Sequence, residues 1–184
     1  TSGMSPTMRR ISTPFFFLSV MGLFAIFSST MSKSPTLTLF AISLGASDPE
    51  IGLIAAASTI PGIIASLPFG ILSDIYGRRK VILLSAALFG FSPFLYLFVT
   101  NPFQLALVRF VHGFATAIFG PVSVAFVADI FPTRRGEKMS IFSSATLFGR
   151  LMAPFIGGLL LTLTNENFHT VYLVCGVSAL LAFT

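Results

Sequence analysis

The sequence predicts an all-α membrane protein in which a bundle of six helices crosses the bilayer. Its composition is the first reason: 54% of the 184 residues are hydrophobic and 9% are charged, whereas soluble domains average roughly 25% charged residues. The second reason is that long apolar runs alternate with short polar turns, and about 20 apolar residues suffice to cross the hydrocarbon core as a helix. Each run is expected to be helical because unpaired backbone groups are costly in lipid.

Six apolar runs are long enough, or nearly so, to span a membrane. The first is interrupted between Ser28 and Ser34 by a polar stretch that contains Lys33 and is followed by Pro35. Short turns rich in Pro, Asn, Asp and Ser separate the later runs. The predicted spans are residues 13–44, 51–73, 81–99, 103–131, 139–163 and 171–184.

Basic residues are distributed unequally between the loops. They precede the first span and follow the second and fourth, whereas the loops after the first, third and fifth spans have none. Because cationic loops stay on the inner side of a membrane, we expect a multi-pass protein of the cell (plasma) membrane with a cytoplasmic N-terminus. The basic residues on that side are Arg9, Arg10, Arg78, Arg79, Lys80, Arg134, Arg135 and Lys138.

Several classes of function lack support in the sequence. The basic residues are not gathered on one face with aromatic residues, which argues against nucleic-acid binding. No nucleotide-binding glycine loop and no metal-ligand spacing is present, and the two histidines, His112 and His169, lie on separate elements. We therefore expect no cofactor, no metal and no enzymatic activity. A non-transporting scaffold or receptor remains an alternative, and a cleaved signal peptide is disfavoured because no small-residue cleavage site ends the first run.

The aromatic residues predict a thin belt at the membrane surface. The sequence has no Trp, 22 Phe and only three Tyr. Since Tyr and Trp favour the interface, Tyr76, Tyr96 and Tyr172 are expected to lie there together with some of the Phe residues.

The most specific motif lies between the second and third spans. From Gly70 to Lys80 the sequence follows the pattern Gly-x-x-x-Asp-x-x-Gly-Arg-Arg-Lys. This motif resembles the signature loop of the major facilitator superfamily of secondary transporters. The resemblance covers almost the whole chain and implies that residues 1–184 are the N-terminal half of a twelve-helix transporter, built from two inverted three-helix repeats. Because the sequence starts at Thr1 and ends within an apolar run, we expect it to be a fragment.

The same resemblance implies a conformational latch. Asp74 and Arg78 are four residues apart and can pair across one helical turn. In relatives the equivalent of Arg78 also bonds the equivalent of Asp129, while the equivalent of Asp74 faces a helix N-terminus in the other half. Such a latch closes the cytoplasmic side and breaks during alternation, whereas the alternative is that Arg78 only sets orientation. Gly70 and Gly77 are expected to allow a tight turn between the helices.

Three cations, Lys33, Arg109 and Arg150, lie inside predicted spans. An intramembrane charge costs at least ~2.5 kcal/mol on insertion scales and therefore indicates function. At 1.5 Å of rise per residue, Arg109 lies roughly 10 Å and Lys33 roughly 16 Å below the outer ends of their spans. The stretch from Arg109 to Gly113 is similar to the family's helix-4 pattern Arg-x-x-Gln-Gly, with His112 at the glutamine position. This similarity implies proton coupling or substrate binding; a structural bond for Arg109 and a packing role for His112 are the alternatives.

The fifth span resembles the helix-5 antiporter pattern Gly-x-x-x-Gly-Pro-x-x-Gly-Gly. Ala153 stands where the pattern has its second glycine, and the residues that match are Gly149, Pro154, Gly157 and Gly158. The resemblance implies a drug/proton antiporter, whereas the plain alternative is a closely packed, bent helix.

These observations predict a secondary active transporter of a small solute that works by alternating access. The expected activity is proton-coupled efflux, with H⁺ as coupling ion and the bilayer and the C-terminal half of the transporter as partners. No carboxylate lies at mid-membrane depth, so either the substrate is anionic or the acids lie elsewhere in the transporter. Proton-coupled uptake of an organic anion or a sugar is the alternative function.

Overall fold

The computed structural model describes residues 6–181, with side chains from residue 13 onward, and confirms the predicted all-α fold in that part of the chain. The side chains of Arg9 and Arg10, and the last three residues of the predicted sixth span, lie outside the described residues. The helices are α1 (Pro6–Met31), α2 (Thr36–Ser43), α3 (Asp48–Ala57), α4 (Thr59–Tyr76), α5 (Arg78–Leu95), α6 (Pro102–Ile130), α7 (Arg135–Leu163) and α8 (Phe168–Leu181), with a short 3-10 helix at Tyr96–Phe98.

Five helical segments are long and apolar enough to cross a membrane. Two of these are helix pairs, α1 with α2 and α3 with α4, and the others are α5 with its 3-10 extension, α6 and α7. The sixth segment, α8, is apolar and has 14 described residues. We number these segments as spans one to six.

The first span is broken where the polar stretch lies. Met31 ends α1 and Thr36 begins α2, so residues 32–35 form a break that holds Lys33. Pro35 has no N–H to donate to the Met31 carbonyl four residues earlier, which explains why α1 ends there. The interruption expected from the sequence is therefore present.

A second break, between α3 and α4, was not predicted. Ala57 ends α3, Ser58 lies between the helices and Thr59 begins α4. The cause is again a proline, since Pro61 cannot donate to the Ala57 carbonyl four residues before it. The second span therefore has an interrupted hydrogen-bond ladder near its outer third, although Ser58 keeps right-handed helical dihedral angles (φ −79°, ψ −12°).

One residue, Gly77, makes the whole turn between α4 and α5. Its φ of +97° is in the region that favours glycine. The helix α5 starts directly afterwards, so Arg78 lies in its first turn rather than in a loop. The prediction that Gly70 shapes this turn is wrong, because Gly70 lies in the interior of α4, where a regular helix needs no such freedom.

Helix packing in the bundle has an internal symmetry. The first span packs against the fifth, through α1 and α7, as the fourth packs against the second, through α6 and α4. Similarly, α5 packs on α6 as α8 packs on α1, and α5 also contacts α8. Exchanging spans one to three with spans four to six maps the first four contacts onto one another in pairs and the contact between α5 and α8 onto itself, as expected for two related three-helix repeats.

Small residues of α7 allow α1 to approach closely. A Cβ atom on Gly149 would lie 2.5 Å from the Leu23 carbonyl oxygen, and one on Gly157 would lie 3.0 Å from Met31 Cγ. Between them, Ala153 is fully buried. These positions recur every four residues and form the kind of small-residue stripe that brings helix backbones together in membranes.

Replacing Gly149 by alanine is expected to lower the free energy of unfolding by about 1–3 kcal/mol, because overpacking of a close contact costs that much. The matched control is Gly158→Ala in the same helix, where the new methyl group would meet only Pro35 Cγ at 4.0 Å. Thermal unfolding of the detergent-purified protein measures both. Equal midpoints for Gly149→Ala and the unchanged protein would contradict the contact.

Candidate functional site

Arg78 joins three helices at the end of the bundle predicted to be cytoplasmic. Its Nε donates to Asp129 Oδ2 of α6 at 2.8 Å, Nη1 donates to Ser73 Oγ of α4 at 2.7 Å, and Nη2 pairs with Asp74 Oδ1 at 2.6 Å. We call Ser73, Asp74, Arg78 and Asp129 the Arg78 cluster. Each guanidinium nitrogen therefore has a partner, which is the multi-point geometry that arginine offers and lysine does not.

The Arg78 cluster brings together the three charged residues of the predicted latch, Asp74, Arg78 and Asp129, while Gly77 makes the turn next to them. Gly70 contributes only its carbonyl oxygen, which accepts a bond from Ser73 Oγ at 2.6 Å. Ser73 was not predicted, and no local signal marks it among the many serines. The Arg78 side chain is 22% exposed and its acids, Asp74 and Asp129, are 60% and 55% exposed, so water competes for these ion pairs.

The second predicted basic loop is held differently. Arg134 pairs with Glu137 through two bonds of 2.7 Å. Lys138 Nζ lies 5.2 Å and 5.3 Å from the ring centroids of Phe15 and Phe131, within range of cation–π attraction. These contacts attach the start of α7 to α1 and to the end of α6.

A buried polar network surrounds Arg109 on α6. The Arg109 side chain is among the largest buried in the described residues, at 2% exposure. Its Nη2 donates to Ser58 Oγ at 2.6 Å and its Nη1 donates to Tyr96 OH at 3.5 Å. The same Tyr96 OH lies 3.2 Å from His112 Nδ1. We call Ser58, Tyr96, Arg109 and His112 the Arg109 network.

Arg109 fixes one hydrogen-bond direction in this network, because a guanidinium can only donate and Tyr96 OH therefore accepts from it. The direction of the contact between Tyr96 OH and His112 Nδ1 depends on the histidine tautomer. When Nδ1 is the accepting nitrogen, the neutral ring carries its proton on Nε2. Within the described residues neither His112 Nε2 nor Arg109 Nε has a hydrogen-bond partner, although both are buried.

Gly113 explains how α6 reaches the break in the second span. A Cβ atom there would lie 2.5 Å from Pro61 Cγ and 2.6 Å from the Ser58 carbonyl oxygen. Only a glycine allows this approach, which places Ser58 within reach of Arg109. The break, the glycine and the arginine therefore form one structural unit.

The prediction of an interfacial tyrosine belt is wrong at two of its three positions. Tyr96 is fully buried and Tyr172 is 1% exposed, whereas Tyr76 is 63% exposed. The Tyr96 and Tyr172 rings stack with centroids 4.2 Å apart and an interplanar angle of 3°. Tyr172 OH is a further buried atom without a partner among the described residues. Both tyrosine rings pack inside the bundle because residues of α5, α6 and α8 surround them.

The other two cations of the predicted spans lie on adjoining elements outside the Arg109 network. Lys33 is half-buried in the break between α1 and α2, and Arg150 is exposed on α7. Lys33 is within electrostatic range of both Arg109 and Arg150. Within the described residues, neither Lys33 nor Arg150 makes a hydrogen bond or an ion pair.

The residues of the helix-5 pattern lie along the contact with the first span. Gly149 and Gly157 face α1 directly, Gly158 lies near Pro35, and Pro154 is in the interior of α7. No group of three or more His, Cys, Asp or Glu residues that could hold a metal ion occurs in residues 6–181.

Comparison with known proteins places this architecture in a family. Residues 15–184 match the family model of the Major Facilitator Superfamily. An uncharacterized MFS-type transporter of Methanocaldococcus jannaschii is 36% identical over 150 residues, which are 81% of this chain and 38% of that protein. The quinolone resistance protein NorA of Staphylococcus aureus is 27% identical over 168 residues, which are 91% of this chain and 42% of that protein.

Among solved structures, the fold is similar to that of PepTSo2, determined as a tetramer. The TM-score is 0.82 at 18% identity, over 94% of this chain and 39% of that one. The chain thus spans about two fifths of the length of the proteins it matches. Its apolar helices and these relatives identify an integral, multi-pass membrane protein, and the chain belongs to the Major Facilitator Superfamily.

Proposed function

We propose that the protein is a secondary active transporter that works by alternating access. The observation that carries this proposal is the pair of polar sites at opposite ends of α6. Arg109 and Asp129 are twenty residues apart, which is roughly 30 Å along a helix. One helix therefore links a buried charged centre at membrane depth to an exposed ion-pair cluster at the surface, an arrangement suited to a solute site and a gate.

We further propose that residues 1–184 form the N-terminal half of this transporter. The six spans, the symmetric packing of two three-helix repeats and the coverage of about two fifths of each relative all support it. The C-terminal half would then be the partner that closes over the exposed faces of the bundle. Transport requires both halves, because alternating access moves one half against the other.

The Arg78 cluster is proposed as a conformational latch. Its acids are more than half exposed, and exposed ion pairs contribute about 0–1 kcal/mol each. Contacts of this strength hold one conformation and still break within a transport cycle. The rest of the transporter would compete for Asp74, as the family pattern implies.

The proposed direction is export, with H⁺ as the coupling ion and a small molecule as the substrate. The helix-5 pattern and the similarity to a protein named for quinolone resistance support this direction. Proton coupling is proposed for His112, which stands at the glutamine position of the helix-4 pattern and contacts Tyr96 OH through Nδ1, because an imidazole nitrogen can give up and take back a proton.

Everted membrane vesicles that contain the protein made from its complete coding sequence test this proposal. An imposed acid-inside pH gradient is expected to drive accumulation of a fluorescent quinolone, and collapse of the gradient with nigericin is expected to release it. Accumulation that ignores the gradient would contradict proton coupling. Movement of the quinolone together with protons would indicate uptake instead of export.

Replacing Arg78 by alanine is expected to slow transport by up to about tenfold, because its exposed ion pairs contribute about 0–1 kcal/mol each and 1.4 kcal/mol is a factor of ten. Arg79→Ala, which removes an exposed arginine one residue away, is the control and should leave the rate near normal. Initial rates are compared at equal protein abundance. Equal slowing by both variants would mean that only loop charge matters.

The membrane orientation is tested with single cysteines in a Cys175→Ser background, since Cys175 is the only cysteine. A cysteine at Arg79 is expected to react with a membrane-impermeant maleimide only after the cytoplasmic side is opened. A cysteine at Asn165, in the exposed loop between α7 and α8, should react in intact cells. The reverse pattern would overturn the proposed orientation.

A further inference from the structure

The described part of the bundle has an excess of positive charge in the membrane. All six acidic residues of the sequence lie at helix ends or in a loop. Most of them already have partners: Asp74 and Asp129 bind Arg78, Glu137 binds Arg134, and Glu50 binds Ser47. No acid in residues 6–181 is therefore left at membrane depth to neutralise the intramembrane cations.

Arg109 is the fixed member of this cationic group. Its two terminal nitrogens bind the neutral oxygens of Ser58 and Tyr96, and its Nε is buried without a partner among the described residues. The guanidinium keeps its charge at any accessible pH. The bonds to Ser58 and Tyr96 hold this charge in place but do not balance it.

Lys33 is the member that a solute can reach. It lies in the non-helical break between α1 and α2 and is half-buried, and irregular backbone at membrane depth is tolerated where it lines a water-filled cavity. Three residues later, Thr36 Oγ1 is buried without a hydrogen-bond partner among the described residues. The break therefore offers an ammonium group and has an unpaired hydroxyl close by.

Arg150 lies on α7, the helix that packs along α1 up to this break. Arg150, Pro154 and Gly158 follow at intervals of four residues and so lie on one face of the helix. A Cβ atom on Gly158 would lie 4.0 Å from Cγ of Pro35, a residue of the break, and Arg150 is roughly 12 Å from Gly158 along this face. The exposed Arg150 side chain is within electrostatic range of Lys33.

From this arrangement we infer that Lys33 and Arg150 form a binding site for an anionic solute, one that carries carboxylate or phosphate groups, with Arg109 as a fixed positive charge behind it. Like charges repel one another in a medium of low dielectric constant, and a bound anion converts that repulsion into attraction. The inference rests on the proposed function and names its substrate class.

A carboxylate from the rest of the transporter is the competing explanation. One such acid would balance one of three cations and leave the others uncompensated. On the described chain Lys33 is half-buried and Arg150 is exposed, which suits a site that must exchange its ligand. The observations therefore favour a mobile anion, and the experiment separates the two explanations.

Thermal unfolding of the protein made from its complete coding sequence, in neutral detergent and at low salt, tests the inference. The probes are succinate, citrate, inorganic phosphate and glycerol 3-phosphate, and the controls are glucose, tetraphenylphosphonium and sodium chloride at matched ionic strength. At least one anion is expected to raise the unfolding midpoint by about 2 °C or more. If no anion exceeds the sodium chloride control, the inference is overturned.

The variant Lys33→Met is expected to weaken the binding of the stabilising anion at least about tenfold, because it removes one partner of a close charge pair. Without anion the same variant should unfold at an equal or higher temperature than the unchanged protein, since repulsion from Arg109 and Arg150 is relieved. Arg79→Met removes an exposed charge far from Lys33 in the sequence. It should alter neither the anion affinity nor the unfolding temperature.

The two explanations predict opposite changes in the unfolding temperature of the Lys33→Met variant when no anion is present. If an acid elsewhere in the transporter neutralises Lys33, the Lys33→Met variant leaves that acid without its ion-pair partner. The variant then unfolds at a lower temperature than the unchanged protein, which overturns the inference. Binding is measured without a membrane or a gradient, so a negative result leaves the transporter proposal standing. A failure of vesicle transport with anion binding intact would instead contradict the transporter proposal.

Discussion

The approach of α6 to the break in the second span is the constraint on which the rest of the bundle depends. An arginine in a membrane interior is tolerated only if its guanidinium finds partners, and Arg109 finds Ser58 because Gly113 lets the two backbones approach. A side chain at position 113 would separate the helices. The Arg109 charge would then lose its nearest oxygen, Ser58 Oγ, and the guanidinium would no longer be held in place beside Tyr96 OH.

The Arg78 cluster and the Arg109 network differ in the strength of their interactions, and this difference suits different tasks. The acids of the Arg78 cluster are more than half exposed, and water screens their attraction to Arg78. In the Arg109 network, Tyr96, Arg109 and His112 are buried and Ser58 is half-buried, and an unpaired buried donor costs more than an exposed ion pair gains. The surface cluster can therefore break and form repeatedly, whereas the buried network persists, and the continuous helix α6 connects them.

Hydropathy predicted the spans, and local motifs predicted Asp74, Arg78 and Asp129 of the Arg78 cluster but not Ser73, because these signals are contained in short stretches of sequence. The predictions that were wrong or missing concern features that depend on contacts with other residues. Tyr96 and Tyr172 have the composition of interfacial residues but are buried where α5, α6 and α8 meet. The break at Ser58 was missed because Pro61 acts on a carbonyl four residues earlier, and Gly70 was misjudged because a helix tolerates glycine without a turn.

The packing of α7 limits what the helix-5 pattern can say about direction. Gly149 and Gly157 face α1 within the described bundle, and a close contact between the first and fifth spans would serve an importer as well as an exporter. Lys33 and Arg150 carry more information about the solute than the small residues do, because positive side chains disfavour cationic solutes whereas glycine and alanine do not discriminate by charge. Lys33 and Arg150 lie on the two elements that this stripe brings together. The small residues Gly149, Ala153 and Gly157 thus affect the proposed binding site indirectly, because the close contact that they allow between α1 and α7 sets the distance between Lys33 and Arg150.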